Sequence, residues 1–213
     1  VRTIRNSCEA LLTIINDIFD VSKMETGKMI LDEIPFRLRE EVAYCLNLVK
    51  RQNPEALIKF VTSVDQAVPE NLIGDPYRLR QVITNLLNNS LAGTLTGEIR
   101  LECRVRKSSG NQFTLEFNVT DTGNNYTKAE LKKLFGDYIT SLTERSEWAE
   151  DLKLGPILAR QLTELMGGEL TAESPAGKDS SGHERGLKVT FTINVHLNEK
   201  IIKTLDLSRF SEI

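Results

Sequence analysis

Three segments of this chain alternate apolar and polar residues, and this alternation constrains its fold more than any other feature. The segments cover residues 99–105, 115–119 and 187–195. The first two are joined by Ser108-Ser109-Gly110-Asn111, a composition typical of a hairpin turn. Because side chains alternate between the two faces of a strand, each segment predicts a strand with one apolar face. The apolar face of the resulting sheet must be covered by another layer.

Helical segments between these strands supply that cover. Asp75 has the side chain of an N-cap residue, and Pro76 suits the first position of a helix. The predicted helices are Arg39–Gln52, Pro76–Leu91, Lys128–Tyr138 and Gly155–Met166, and the shorter predicted strands are Met29–Phe36, Leu57–Val64 and Glu169–Glu173. Helices on one face of one sheet predict an α/β (α+β) fold, a two-layer sandwich of a mixed sheet of about five strands and about three helices.

A long amphipathic helix is predicted at the start of the chain. Its apolar stripe repeats at spacings of three and four residues, the seam of a heptad pattern, and consists of Val1, Ile4, Cys8, Leu11, Ile15, Ile18 and Ser22. Gly27 suits the position just after the end of this helix. A helix cannot bury such a stripe by itself, so it needs a partner. We favour a helical bundle, most simply a dimer formed through residues 1–24; the alternative is packing against the chain's own domain.

Composition and charge limit the classes of function. The chain has 213 residues, with 27 Lys and Arg against 30 Asp and Glu and a net charge of −3. That balance gives no basic footprint for nucleic acid or for an anionic membrane. No run reaches the roughly 18 apolar residues that span a bilayer. Cys8, Cys45 and Cys103 stand far apart in apolar patterns, which predicts buried thiols in a reducing cytoplasm rather than a disulfide frame or a zinc site.

Four sequence blocks follow one another in a specific order. They are Ser22–Lys28, then Gly74–Val82 with Asn85-Leu86-Leu87-Asn88-Asn89, then Asp121-Thr122-Gly123, and last Leu154-Gly155 through Gly167-Gly168. Together they resemble the second dimerisation helix, the N box and the two glycine boxes of the sensor histidine kinases, whose ATP-binding domain belongs to the GHKL superfamily. The resemblance covers residues 1–197. It implies a dimerisation helix over residues 1–27, an ATP-binding domain over 28–197 and a linker tail over 198–213.

The resemblance assigns roles to three polar residues of one predicted helix. Asn85 would coordinate Mg²⁺ through its amide oxygen, and Asn89 would border the nucleotide. The two lie four residues apart, hence on one face of the helix. Gln81, one turn earlier, matches a polar residue that helps to orient phosphoryl transfer. Oxygen ligands suit Mg²⁺, which takes its other ligands from water and from phosphates.

The resemblance also assigns roles at the two glycine boxes. Asp121 would accept a hydrogen bond from the exocyclic amine of adenine, and Gly123 would let the backbone approach the base closely. Gly155 is the one glycine that remains of the loop that cradles the triphosphate. The implied cofactors are ATP or ADP together with Mg²⁺.

Several departures from the family's pattern lie where the phosphates would bind. Ala92 replaces a lysine that reaches a phosphate, and Gly93 follows it in place of an aromatic residue. Asn125 replaces the second glycine of the first box, and Asp151 and Lys153 stand on two glycine positions of the second. A carboxylate a few ångströms from a phosphate costs about 3–4 kcal/mol per charge pair at an effective dielectric near 20, and less when exposed. We therefore expect weak ATP binding or none.

Residues 141–152 correspond to the lid of the family and contain no glycine. A capping-box pattern over Ser141–Glu144 and the helix-favouring residues after it predict an ordered helical lid; an ordinary mobile lid is the alternative. The family's phosphoacceptor histidine lies on a helix that would precede Val1. The two histidines present, His183 and His196, stand in no such motif.

Three functional hypotheses follow. The one we prefer is a regulatory pseudokinase; the others are a working histidine kinase that phosphorylates a histidine elsewhere, and a nucleotide sensor without transfer. The resemblance implies a homodimer, or a heterodimer with another histidine kinase, and a response regulator or receiver domain as partner, as in a hybrid sensor. No nucleic acid or membrane contact is expected for this chain. The expected location is the cytoplasm, in a parent protein that can be anchored in the inner membrane.

Overall fold

The structure, a computed structural model, describes residues 15–24, 26–54, 57–136, 154–178, 182 and 184–198. Its helices are α1 (residues 15–24), α2 (Leu38–Gln52), α3 (Pro76–Gly93), α4 (Lys128–Phe135) and α5 (Leu154–Leu165). Its strands are β1 (Ile34–Arg37), β2 (Leu57–Val64), β3 (Asn71–Gly74), β4 (Thr96–Ser109), β5 (Gln112–Asp121), β6 (Leu170–Glu173), β7 (Gly177–Lys178), β8 (Glu184–Arg185) and β9 (Lys188–Leu197). Within these segments no helix has the length and apolar character needed to traverse a bilayer.

Seven of the described strands form one mixed sheet. Their order is β1-β3-β9-β5-β4-β2, and β6 pairs with the first half of β9 beside β3. β2 and β4 are parallel, whereas the other pairs are antiparallel. The turn between β4 and β5 is the predicted hairpin, with Ser109 opposite Gln112. β7 and β8 form a separate short hairpin.

The core lies between this sheet and the helices on its inner face. The alternating segments place Leu101, Phe117 and Phe191 inward, where they are fully buried, and the rings of the two phenylalanines stack with centroids 4.7 Å apart. Burial of each such side chain contributes about 1.5–3 kcal/mol. Helices α2, α3 and α5 each bury an apolar face. The predicted two-layer α/β fold is therefore confirmed.

The sheet has more strands than the sequence patterns indicated, and some bounds differ. β3 was not predicted, because four residues are too few to display an alternation and they run straight into the Gly-Asp-Pro helix start. The predicted strand over residues 29–36 is shorter and begins at Ile34. Helix α4 ends at Phe135 with Gly136 as its C-cap, so the last two residues predicted for it lie outside the described residues.

The start of α3 is built as the sequence predicts. Asp75 is the N-cap residue, and its Oδ1 accepts a hydrogen bond from the backbone N–H of Arg78 at 3.0 Å. Its Oδ2 accepts a second bond, from the N–H of Asp32, also at 3.0 Å. Pro76 occupies the first helical position, where no N–H is needed. This buried carboxylate therefore fixes where α3 begins and ties the segment before β1 to it.

Helix α1 packs against the α/β domain with only part of its surface. Val21 is 1% exposed and belongs to the main core, with Met24 packed beside it. Ile15, Ile18 and Phe19 are 40%, 46% and 62% exposed. The predicted stripe is thus not the surface that meets the domain, and its described members face outward. Residues 1–14, which carry the rest of the stripe, lie outside the described residues.

Two of the cysteines are buried thiols, as the sequence predicts. Cys45 and Cys103 are free, and burial raises the pKa of each to about 12. A thiol held neutral in this way is a poor nucleophile and a poor metal ligand, so both act as small apolar core residues. Cys8 lies outside the described residues.

Candidate functional site

Helix α3 carries two asparagines whose side chains are not satisfied by the protein. Asn85 and Asn89 lie on one face of the helix, and Asn89 is 6% exposed. Neither Nδ2 of Asn85 nor Oδ1 of Asn89 has a hydrogen-bond partner in the described part of the chain. A buried polar atom left in this state costs about 1–3 kcal/mol, and such atoms point to a bound ligand or water. The structure therefore brings two predicted site residues together as unfilled hydrogen-bonding groups.

The N-terminus of α5 approaches this face of α3. Gly155 is the second residue of α5, and a Cβ built on it would lie 3.5 Å from Cγ and 3.6 Å from Oδ1 of Asn85. The first turn of a helix has free N–H groups and the positive end of the helix dipole, which favour anions. Asn85 and Gly155 are thus neighbours at the N-terminus of α5. Asp151 and Lys153, which precede this turn, lie outside the described residues.

Asp121 is a buried carboxylate at the end of β5. It is 3% exposed, and its Oδ1 accepts bonds from the N–H groups of Gly123 at 3.0 Å and Leu187 at 3.2 Å. Burial raises the pKa of Asp121, and the two N–H groups partly offset this rise. The carboxylate is therefore held in a fixed orientation by backbone on both sides. Such a group can accept a hydrogen bond from an amine of a ligand.

Gly123 follows Asp121 and packs directly against the end of α3. A Cβ at this position would lie 2.5 Å from Oγ1 of Thr94 and closer still to the carbonyl oxygen of Gly93. Asn124 holds Gly123 and Gly93 together, because its N–H donates a hydrogen bond to the carbonyl oxygen of Gly93 at 3.0 Å. Only glycine fits here. Asp121 and Gly123 are thus positioned relative to α3 by a close backbone contact.

Tyr126 is a residue of this region that the sequence analysis missed. Its hydroxyl lies 3.0 Å from the position that a Cβ on Gly93 would take. Burial and the nearby carboxylate of Asp121 raise the pKa of Tyr126. Gly93 is the sequence signal that could have identified Tyr126. Where the family's aromatic residue is missing at position 93, a side chain from another part of the chain can fill the space beside it.

Gln81 lies one turn before Asn85 and is engaged by α1. Its Nε2 donates to Oδ2 of Asp20 at 2.9 Å, and its Oε1 accepts from Nη1 of Arg78 at 2.8 Å. Arg78 in turn pairs with the same Asp20 oxygen at 2.7 Å. Burial, followed by the charge of Asp20, raises the pKa of Asp17 to about 6. The sequence analysis placed Gln81 in the site but did not foresee that α1 would hold its amide.

The comparisons with known proteins identify the family. The family model described as "Histidine kinase-, DNA gyrase B-, and HSP90-like ATPase" matches residues 74–197. The chain belongs to this family. The matched region contains all six predicted site residues: Gln81, Asn85, Asn89, Asp121, Gly123 and Gly155.

Curated relatives of this family member are sensor kinases. The chain is 33% identical over 202 residues to the signal transduction histidine-protein kinase BarA of Escherichia coli, a match that covers 95% of this chain and 21% of that protein. It is 33% identical over 178 residues to the sensor histidine kinase GacS of Pseudomonas protegens, covering 84% of this chain and 19% of that protein. The chain therefore spans about a fifth of the length of these relatives.

Solved structures of histidine kinases share the fold. Full-length ShkA in complex with AMPPNP matches with a TM-score of 0.71 at 19% identity, covering 92% of this chain and 38% of that one. The Acinetobacter baumannii histidine kinase AdeS matches with a TM-score of 0.65 at 15% identity, covering 92% of this chain and 83% of that one. At such identities the likeness establishes the fold alone.

Two of the departures from the family's pattern can be placed in the structure. Asn125, on the position of a glycine, is exposed and donates from Nδ2 to the carbonyl of Glu184 at 2.9 Å. Ala92 is exposed near the end of α3. The first glycine box is thus tied to β8, and no cation stands at position 92. Among the described residues no group of three or more His, Cys, Asp or Glu side chains could hold a metal ion.

Proposed function

We propose that this chain is the ATP-binding domain of a hybrid two-component sensor that acts as a regulatory pseudokinase, with its base and Mg²⁺ positions kept and its triphosphate grip altered. The proposal rests on a contrast between the base and Mg²⁺ positions, which are kept, and the phosphate positions, which are altered. Polar atoms of Asn85 and Asn89 are buried without partners and Asp121 keeps a buried carboxylate, whereas Ala92 carries no positive charge and Asn125 stands in place of a glycine. A generally decayed site would be expected to lose its buried polar groups first, because each of them costs stability.

The residues present fit an adenine nucleotide and Mg²⁺ in part. Asn85 has the amide oxygen that a hard cation takes as a ligand, and the N-terminus of α5 lies beside it. Asp121 would accept a hydrogen bond from the exocyclic amine of adenine. When bound, Mg²⁺ would neutralise phosphate charge. Asp151 would oppose this, since each carboxylate–phosphate pair costs about 3–4 kcal/mol at an effective dielectric of 20.

A working histidine kinase is the second candidate, and the unsatisfied amides favour it. Nδ2 of Asn85 and Oδ1 of Asn89 lack partners among the described residues, which is what a functional apo site would also display. In that case the γ-phosphate would pass to a histidine outside this chain. Gln81 would have to leave Asp20 before it could orient such a transfer.

Partners are proposed from the surface of α1. Ile15, Ile18 and Phe19 project from the domain as an apolar face, which supports a helical bundle with a second kinase chain through residues 1–24. ThkA, a structural neighbour with a TM-score of 0.59, is described in complex with the response regulator protein TrrA. We propose a response regulator or receiver domain as the second partner of this chain.

Calorimetric titration with Mg·ATP tests the proposal. The unmodified chain is compared with a variant that restores the phosphate site, Ala92→Lys with Asp151→Gly and Lys153→Gly. Ala43→Lys, on the exposed side of α2, is a control with the same net change of charge. We expect binding only by the restored variant. Sub-millimolar binding by the unmodified chain would refute the pseudokinase; transfer of labelled phosphate to a histidine-bearing kinase helix would then separate a working kinase from a nucleotide sensor.

A further inference from the structure

Two polar groups without a partner among the described residues lie at the end of α3, and a buried carboxylate lies near them. The hydroxyl of Tyr126 reaches the space beside Gly93, and no hydrogen bond to it exists in the part of the chain that is described. Oγ1 of Thr94 is buried without a partner. Asp121 lies near them, because Gly123, whose N–H it accepts, packs against Gly93 and Thr94. A tyrosine hydroxyl that is partly buried normally finds a partner, so the Tyr126 hydroxyl and the buried Thr94 hydroxyl are both available to a ligand.

The position of the Tyr126 side chain is defined by its backbone, its ring and its hydroxyl. Its backbone N–H donates to Oγ of Ser174 at 3.0 Å, in the segment between β6 and β7, and its ring packs against the core. Its hydroxyl end lies at Gly93, the last residue of α3. The ring is therefore packed between the core and the end of α3, and it is not a freely rotating surface side chain.

We propose that Tyr126 contacts the base and determines specificity in this nucleotide pocket, supplying from the first glycine box the aromatic surface that Gly93 cannot. The proposal rests on nucleotide binding as put forward above. Asp121 would accept from the exocyclic amine of adenine, and the Tyr126 hydroxyl would donate to a neighbouring ring nitrogen. Guanine would place a carbonyl oxygen against Asp121, and a pair of acceptors cannot bond. The pocket is therefore expected to prefer adenine over guanine.

Binding of Mg·ADP and Mg·GDP to the whole 213-residue chain tests this. ADP is the better probe, because it makes less demand on the altered triphosphate site. A net hydrogen bond contributes about 0.5–1.5 kcal/mol, so Tyr126→Phe should weaken ADP binding about 2- to 12-fold and reduce the preference for ADP over GDP. Tyr126→Ala should lose more than that, since it also removes the ring. Tyr44→Phe, on the exposed face of α2, is the matched control and should bind as the unmodified chain does.

A swap variant separates contact with the base from a purely structural role. Gly93→Phe alone should clash with the Tyr126 hydroxyl and weaken ADP binding, whereas Gly93→Phe with Tyr126→Ala should recover most of the affinity lost by Tyr126→Ala. Thermal unfolding of each variant reports whether it is folded.

The outcomes distinguish the two proposals. If the unmodified chain and both Tyr126 variants bind ADP equally, or if Tyr126→Ala binds more tightly, the role of Tyr126 is refuted and the nucleotide site stands. If the unmodified chain binds neither ADP nor ATP at millimolar concentration, the proposal that the base pocket is retained is refuted. The role proposed for Tyr126 is then refuted as well.

Discussion

Replacing Gly123 by alanine tests the close contact on which the candidate site is built. The added Cβ would lie 2.5 Å from Oγ1 of Thr94 and 2.8 Å from the carbonyl carbon of Gly93. Ordinary contacts of a Cβ begin at about 3.4 Å, so the first glycine box would have to move away from α3 by several tenths of an ångström or more. The carbonyl of Gly93 cannot move aside freely, because it also accepts the N–H of Asn124 at 3.0 Å.

The size of the effect follows from these contacts. Insertion of one methyl group into a tightly packed place costs about 1–3 kcal/mol, and weakening the Asn124 hydrogen bond adds about 0.5–1.5 kcal/mol. In a domain of this size each kcal/mol lowers the Tm by roughly 2–4 °C. We therefore expect Gly123→Ala to unfold about 3–18 °C below the unmodified chain, and to lose ADP binding because Asp121 is displaced from its position.

Gly177→Ala provides the matched control, and thermal unfolding followed by circular dichroism provides the assay. A Cβ on Gly177 would have no atom within 4 Å, and Gly177 does not have a positive φ. Surface changes of this kind stay within about 0.5 kcal/mol. A Gly123→Ala protein that unfolds within 1–2 °C (roughly the size of that surface effect) of Gly177→Ala would show that the two backbones do not approach as described, and the positioning of Asp121 against α3 would be refuted.

Two further predictions concern the carboxylates around α3. The pKa of Asp17 is raised from 3.8 to about 6, so the folded state holds a proton that the unfolded state has lost, and stability falls as the pH rises through this window. Asp17→Asn should therefore gain stability relative to the unmodified chain from pH 4 to 7, by about 1 kcal/mol after allowance for its partial exposure; urea unfolding at both pH values measures this, and a pH-independent difference would contradict it. Asp75→Ala should cost about 1–3 kcal/mol at pH 7, because it removes the N-cap of α3 and leaves the N–H of Asp32 without its partner; Asp32→Ala, which keeps that N–H, is the control and should change little.

The local features of the fold could be predicted from sequence because neighbouring residues determine them. Asp75 and Pro76 set the start of α3 through backbone geometry that depends on four consecutive residues. The long strands were predicted because alternation persists over enough positions to reveal which face is buried. β3 was missed because a strand of four residues is held by its partners, β1 and β9, and not by its own pattern.

The candidate site could be predicted only where the family's motif records it. Asn85, Asn89 and Asp121 were proposed from motifs, and in the structure Asn85 and Asn89 each have a buried polar atom without a partner while Asp121 has a buried carboxylate. Tyr126 was missed because the role proposed for it depends on the absence of a side chain at Gly93, which lies thirty-three residues earlier in the chain. Substitutions that compensate for each other across a pocket leave no periodicity, so only the folded arrangement relates them.

The contact between α1 and Gln81 also depends on residues far apart in the chain, so it could not be predicted from the sequence. A helical pattern reports which face is apolar, but it does not report which polar residue on the other face will meet a partner sixty residues away. Asp20 engages both Arg78 and Gln81, so the residue proposed to orient transfer is held by α1. A displacement of α1 would break both bonds together, since one carboxylate oxygen accepts them both. In this structure the position of α1 and the availability of the Gln81 amide are therefore linked through the Asp20 carboxylate.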